Sequence, residues 1–185
     1  EDSRPWGDSE DWILKTRDAI VDLGLDGKHI GMEYDAQPAL IRDYLRLKDM
    51  LHEATFVDCS GIVEQGRMIK SPQEIVYMRQ AARATEAAIR AAVETAEVGA
   101  TENDVAAEMH KAQILAGSEY TGFPMFFKSG VRAEMGHVSW YRKRLEPNEF
   151  IHMEVSSCIN RYHAAKWAQI YLGVPSKEML RAFDA

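Results

Sequence analysis

The sequence predicts an α+β fold in which an α/β unit is followed by a helix-plus-sheet unit. Two observations support this. Helical and strand-like segments alternate between residues 12 and 60, which is the pattern of an α/β unit. After residue 70, two helical segments precede several β-rich runs. We therefore expect two domains, residues 1–68 and residues 69–185.

Four elements are predicted in the first domain. A helix within residues 12–25 has apolar residues at helical spacing and Gly24 as its stop signal. A short apolar strand over 29–34, a second helix over 37–52 and a second strand over 54–60 follow it. No glycine-rich phosphate loop joins these segments, so nothing in them indicates nucleotide binding.

Two helix-start signals open the second domain. Ser71 is a candidate N-cap, with proline next and Glu74 at the third helical position, where its carboxylate can return a hydrogen bond to the cap. The helix that follows ends before Gly99, and Thr101 begins the same signal for a helix over 105–115. Periodicity predicts that one face of the first helix carries Ile75, Met78, Ala82, Thr85, Ile89, Ala92 and Val93.

The rest of the second domain is predicted to be mainly β. A strand over 124–128 leads into a loop over 129–137. Two β-rich runs, 150–159 and 162–173, flank the polar pair Asn160-Arg161, which is typical of a β-hairpin. A last helix is expected over 176–185.

Composition limits the classes of partner. The net charge of −7 and the isoelectric point near 5.4 argue against a nucleic-acid-binding surface. No apolar run approaches the ~20 residues that span a bilayer, and the acidic start is unlike a signal peptide. Cys59 and Cys158 lack metal-ligand spacing, so we expect packing thiols in a reducing, cytoplasmic compartment.

Five segments in order resemble the creatinase, prolidase and Xaa-Pro aminopeptidase (M24) family. They are HIGMEYDAQ with FVDCSGIVEQGRMIKS (29–71), RMIKSPQEIVYMRQAARATEAAI (67–89), VGATENDVAAEMH (98–110), SGVRAEMGH (129–137) and LEPNEFIHMEVSSCINRYHA (145–164). The resemblance implies a partial pita-bread catalytic domain, preceded by the end of an α/β N-terminal domain, in a homodimer. It also implies that the last part of the catalytic domain, with a further histidine and two glutamates of the active site, lies outside this chain.

The same resemblance assigns candidate site residues. His137 aligns with the family histidine that transfers protons in metal-free members, and a neutral imidazole can accept and return a proton near neutral pH. It is the predicted catalytic residue. Further residues are predicted to contact the substrate or line its pocket: Glu154, His163, Tyr162, Trp140 and Phe123.

The metal-ligand positions of the family are not intact here. Its first aspartate corresponds to Glu154, and its second, eleven residues later, to Ala165. A methyl group cannot coordinate a cation, and two metal ions need bridging carboxylates. We therefore predict no metal and a hydrolase that cleaves a non-peptide C–N bond in a small-molecule substrate. The run Arg-Tyr-His-Ala-Ala (161–165) resembles ectoine hydrolases more than creatinases, which have a glutamate where this chain has Trp167. The alternatives are a divergent Xaa-Pro dipeptidase or aminopeptidase that holds Mn or Zn, and a catalytically silent ligand-binding relative.

Overall fold

The computed structural model, which describes residues 3–35 and 40–183, divides the chain into two units. They are Glu1–Ile69 and Lys70–Ala185, and the division falls next to the boundary expected between residues 68 and 69.

The first unit has the predicted order of helices and strands, with one addition. Its elements are α1 (Trp12–Asp22), β1 (His29–Met32), α2 (Ile41–Met50), β2 (Thr55–Asp58) and α3 (Ile62–Arg67). Strands β1 and β2 pair in parallel. The first residues predicted for the second helix lie partly outside the described residues. Helix α3 was not predicted, because it spans only six residues and its N-cap is a glycine with no side-chain hydrogen bond.

The second unit contains the remaining elements. They are α4 (Pro72–Thr95), α5 (Glu102–Leu115), β3 (Phe126–Ser129), a 3₁₀ helix (Gly130–Glu134), β4 (Phe150–Ile159), β5 (Tyr162–Tyr171) and α6 (Lys177–Phe183). Both predicted helix starts are confirmed as capping boxes, with Ser71 and Thr101 as the N-caps. Each box satisfies backbone N–H groups that have no partner within the helix.

Strands β3, β4 and β5 form an antiparallel sheet in that order. The hairpin between β4 and β5 is confirmed, and its turn residues Asn160 and Arg161 have φ angles of 48° and 63°. Positive φ at both central residues is the backbone of a type I′ turn, whose twist matches that of the flanking strands. One face of the sheet packs on α4 and α5 around a core that includes Phe127, Ile151, Met153 and Val155.

The buried face of α4 matches the predicted one only in part: Thr85 and Ala92 are buried, and Ile89 packs against the core. Val93 is 61% exposed and Ile75 is 38% exposed, so these large residues do not face the core. The buried positions are Ala81, Ala84, Thr85, Ala88 and Ala92. A face of small side chains lets the helix axis lie close to the sheet, and this close packing decides which face is buried.

Candidate active site

Polar side chains gather on the face of the sheet opposite α4 and α5. Side chains alternate between the two faces of a strand, and the register places Lys128 of β3 opposite His152 of β4, with Phe126 opposite Glu154. Glu154 is in turn opposite Trp167 of β5. We call this side, which carries Phe126, Lys128, His152, Glu154, Ser156, Ala165, Trp167 and Gln169, the polar face.

His137 approaches the polar face from the loop after the 3₁₀ helix. Its Nε2 lies 3.8 Å from Oε2 of Glu154, and its side chain is 73% exposed while that of Glu154 is 14% exposed. The ring of His137 lies 5.1 Å from that of Phe126. Its φ is 47°, a left-handed conformation that is uncommon outside glycine and is found more often at functional sites. The structure thus brings two predicted site residues together.

Of two other predicted site residues, Phe123 lies beside this pair, and His163 holds the segment that precedes Phe123. Phe123 stacks on Phe126 with ring centroids 6.1 Å apart and so extends the aromatic wall beside His137. His163 accepts a hydrogen bond at Nε2 from the backbone N–H of Gly122 at 3.0 Å, and its Nδ1 lies 3.1 Å from the carbonyl oxygen of Arg161. A neutral ring that donates from Nδ1 satisfies both contacts. This histidine therefore anchors the segment before Phe123 to the hairpin.

Tyr162 and Trp140 are not brought to the His137–Glu154 pair. The hydroxyl of Tyr162 donates to Oε1 of Glu74 at 2.8 Å, which places this side chain against α4. The ring of Trp140 packs on the core and lies 5.4 Å from that of His110 on α5. Strand alternation explains the first case, because neighbouring residues of β5 point to opposite faces.

Glu102 is a functional candidate that the sequence did not reveal. This carboxylate is fully buried at the start of α5. Its Oε1 accepts the N–H and the hydroxyl of Ser129, both at 2.8 Å, and its Oε2 accepts from Arg132 and from the N–H of Tyr141, both at 2.9 Å. These bonds fix both ends of the loop that carries His137. A helix-start glutamate gives no sequence signal of such long-range contacts.

Lys128 is the second residue that sequence reasoning missed. It is 2% exposed and adjoins Glu154 across the strands. Burial lowers the pKa of its ammonium, the negative charge of Glu154 opposes that shift, and Arg132 adds to it. Burial also lowers the pKa of His152, with a further contribution from Lys128. A lysine inside an apolar strand was the available signal, since lysine is seldom fully buried.

The residues of the polar face do not form the two-metal site of the family. Ala165 lies opposite Ser156 on the same face as Glu154, so a methyl group occupies the place of the second carboxylate. Within residues 3–35 and 40–183, no three His, Cys, Asp or Glu side chains are grouped so as to hold a metal ion. At the two aligned positions the described residues thus supply one carboxylate, Glu154, whereas a dinuclear centre uses bridging carboxylates.

Burial distinguishes the two cysteines, which are both free thiols. Cys158 is buried in the sheet, and burial raises the pKa of its thiol, as expected of a packing residue.

The order of elements, the capped helices and the hairpin are those of part of a pita-bread fold. Comparison with protein families agrees: residues 76–185 match metallopeptidase family M24, and residues 2–69 match the creatinase/prolidase N-terminal domain. The chain belongs to this family. Within the described ranges, no helix has the length and apolar character needed to cross a membrane.

Relatives within the family differ in their named activities. An uncharacterized hydrolase/peptidase of Sinorhizobium fredii is 35% identical over 152 residues, which are 80% of this chain and 39% of the relative. The ectoine hydrolase of Halomonas elongata is 28% identical over 184 residues, 95% of this chain and 46% of that enzyme. This chain therefore spans less than half the length of either relative.

A solved structure supports the fold alone. The X-Pro aminopeptidase of Thermotoga maritima superposes with a TM-score of 0.80 at 24% identity, over 90% of this chain and 46% of that one.

Proposed function

We propose that this chain forms part of a metal-independent hydrolase that cleaves a non-peptide C–N bond in a small molecule, with His137 as general acid/base. The observation that carries this proposal is Ala165, which stands in place of a carboxylate on the same face as Glu154. Without that carboxylate, a pair of cations loses a bridging ligand and part of the negative charge that holds it. The chemistry then falls to the side chains of the site.

The geometry of His137 and Glu154 suits proton transfer. The exposed imidazole can take a proton from a water that attacks the carbon of the scissile bond. Glu154, 3.8 Å away, places a negative charge beside the imidazolium so formed. The imidazolium then returns the proton to the leaving nitrogen, and the ring is neutral again. Lys128, with its positive charge nearby, contributes to the electrostatic field in which charge develops.

The ectoine hydrolase among the relatives makes ectoine the first substrate to test. Creatine and an Xaa-Pro dipeptide complete the set, because family relationship alone allows each. The full-length protein is assayed on all of them with and without excess chelator. We expect turnover of a non-peptide substrate that is unchanged by chelator.

A histidine substitution tests the proton-transfer role. His137→Ala is expected to lower kcat/KM by roughly 10²–10⁴-fold, the usual contribution of a positioned acid/base. His52→Ala, an exposed histidine of the first unit, serves as the control and is expected to leave kcat/KM unchanged. Equal activity of His137→Ala and the unmodified enzyme refutes the assignment.

The competing function is a divergent Xaa-Pro dipeptidase that holds Mn or Zn through Glu154 and residues outside this chain. Membership of a metallopeptidase family favours it. Cleavage of the dipeptide, abolished by chelator and restored by Mn or Zn, is the outcome that selects it over the metal-independent hydrolase. Absence of turnover on every substrate, together with tight ligand binding, selects the catalytically silent relative. We further propose that the full-length protein is a cytoplasmic homodimer. Measurement of its molecular mass in solution tests the dimer.

A further inference from the structure

Lys128 is a buried cation without a bonded partner. It is 2% exposed and lies on the polar face opposite His152. In the described part of the chain, no carboxylate forms an ion pair with its ammonium and no group forms a hydrogen bond with it. An ammonium removed from water without a partner is costly, so buried lysines are normally paired.

Neighbouring cations of the same unit show the usual arrangement. Arg132 has a side chain that is 19% exposed, and it pairs with Glu102 at 2.9 Å. Lys143 is also 19% exposed, and it pairs with Glu149 at 2.7 Å. Lys128 is more buried than either and lacks such a carboxylate. Within the described residues, the cost of its burial is opposed by the charge of Glu154 but not by a bonded carboxylate, as is expected of a group that meets its counter-charge in a ligand.

The surroundings of Lys128 limit the ligand to a single negative charge. Glu154 lies on the same face and repels a dianion such as a phosphate monoester. A single ammonium suits a carboxylate better than a phosphate, which usually takes several backbone N–H groups or an arginine fork.

We propose that Lys128 binds the carboxylate of the small molecule that this site takes. The proposal deepens the proposed function, on which it relies only for the location of the site. The ammonium and the carboxylate form a charge-assisted hydrogen bond away from water. Glu154 and His137, beside it, then face the remainder of the molecule.

Binding of a simple probe tests this without any turnover. Propionate and propionamide have the same shape, but only propionate carries a charge. Their dissociation constants are measured by NMR titration of the full-length protein, and of its Lys128→Met and Lys166→Met variants. Lys166 is an exposed lysine of the same hairpin that faces the opposite side. We expect Lys128→Met to weaken propionate binding at least tenfold and to leave propionamide unchanged, while Lys166→Met changes neither.

A second variant separates a binding role from a structural one. Glu154→Gln removes the carboxylate that competes for the ammonium, so it is expected to tighten propionate binding several-fold. It tests the proposal even if Lys128→Met does not fold. Any of three results would overturn the proposal. Lys128→Met could bind propionate as tightly as the unmodified protein, Glu154→Gln could bind propionate more weakly, or the unmodified protein could bind propionate and propionamide equally. Propionate binding through Lys128 without hydrolysis of any substrate would overturn only the proposed function.

Discussion

Replacement of Glu102 by glutamine tests whether this carboxylate fixes the loop that carries His137. Four donor groups from Ser129, Arg132 and Tyr141 point at its two oxygens. An amide keeps one acceptor oxygen and turns an NH₂ group towards donors, so at least one buried N–H loses its partner. Breaking a buried ion pair costs about 3–5 kcal/mol, and we expect Glu102→Gln to destabilise the second unit by about that amount.

Amide hydrogen exchange measures this destabilisation at the residues that bond to Glu102. The amides of Ser129 and Tyr141 donate to Glu102, and their exchange in Glu102→Gln is expected to accelerate about 100-fold or more, since each 1.4 kcal/mol is about tenfold. The matched control is Glu108→Gln on the same helix, whose side chain is 45% exposed and pairs with Lys111; its effect is expected to stay below about 1 kcal/mol. Unchanged exchange at both amides in Glu102→Gln would refute this reasoning.

Three further predictions concern α4. The Thr85 hydroxyl is buried and accepts a hydrogen bond from the N–H of Ser157 at 3.0 Å. Thr85→Val is therefore expected to lower the free energy of unfolding by about 1–3 kcal/mol, whereas Thr85→Ser keeps the bond. Equal urea midpoints of these two variants would contradict this prediction. Ala88 is fully buried, so Ala88→Leu is expected to lower the free energy of unfolding by about 3 kcal/mol. Val93 is 61% exposed, and Val93→Leu is the near-neutral control. Equal melting temperatures of the two variants would contradict this prediction. Hydrogen bonds from the backbone N–H and hydroxyl of Ser71 and from the hydroxyl of Tyr162 lower the pKa of Glu74 to about 2. Because folding depresses this pKa, the ionised carboxylate stabilises the fold fully above about pH 4.5, and the stabilisation is lost as the pH falls through about 2. The difference in urea midpoint between the unmodified protein and Glu74→Gln should therefore be constant from pH 7 to 5 and disappear at lower pH.

Local signals in the sequence predicted the main elements of the fold. Ser71 with Glu74, and Thr101 with Asp104, fix where two helices start, because capping boxes need only residues three positions apart. Asn160-Arg161 between two β-rich runs predicted the hairpin for the same reason. Periodicity found only part of the buried face of α4: Thr85 and Ala92 are buried as predicted, whereas Val93 is exposed because close packing against the sheet selected alanines over larger residues.

The candidate site was only partly predictable. Glu154 and Ala165 lie eleven residues apart, and the hairpin register that places them on one face follows from a two-residue turn and strand alternation. His163 was predicted to contact substrate, but its two ring nitrogens both contact backbone groups. That pairing depends on where the segment before Phe123 crosses the hairpin, which no local pattern specifies.

The sequence by itself determined the order of the main helices and strands, because caps, turns and periodicity act over a few residues. Its resemblance to the M24 family indicated the family and the alanine that corresponds to a metal-ligand position, Ala165. Only the tertiary structure decided that Glu102 holds both ends of the His137 loop and that Lys128 is buried beside Glu154 without a bonded partner among the described residues. Both depend on contacts between segments far apart in the chain. The physical reason is that burial and charge pairing are properties of the packed unit, and no single segment contains them.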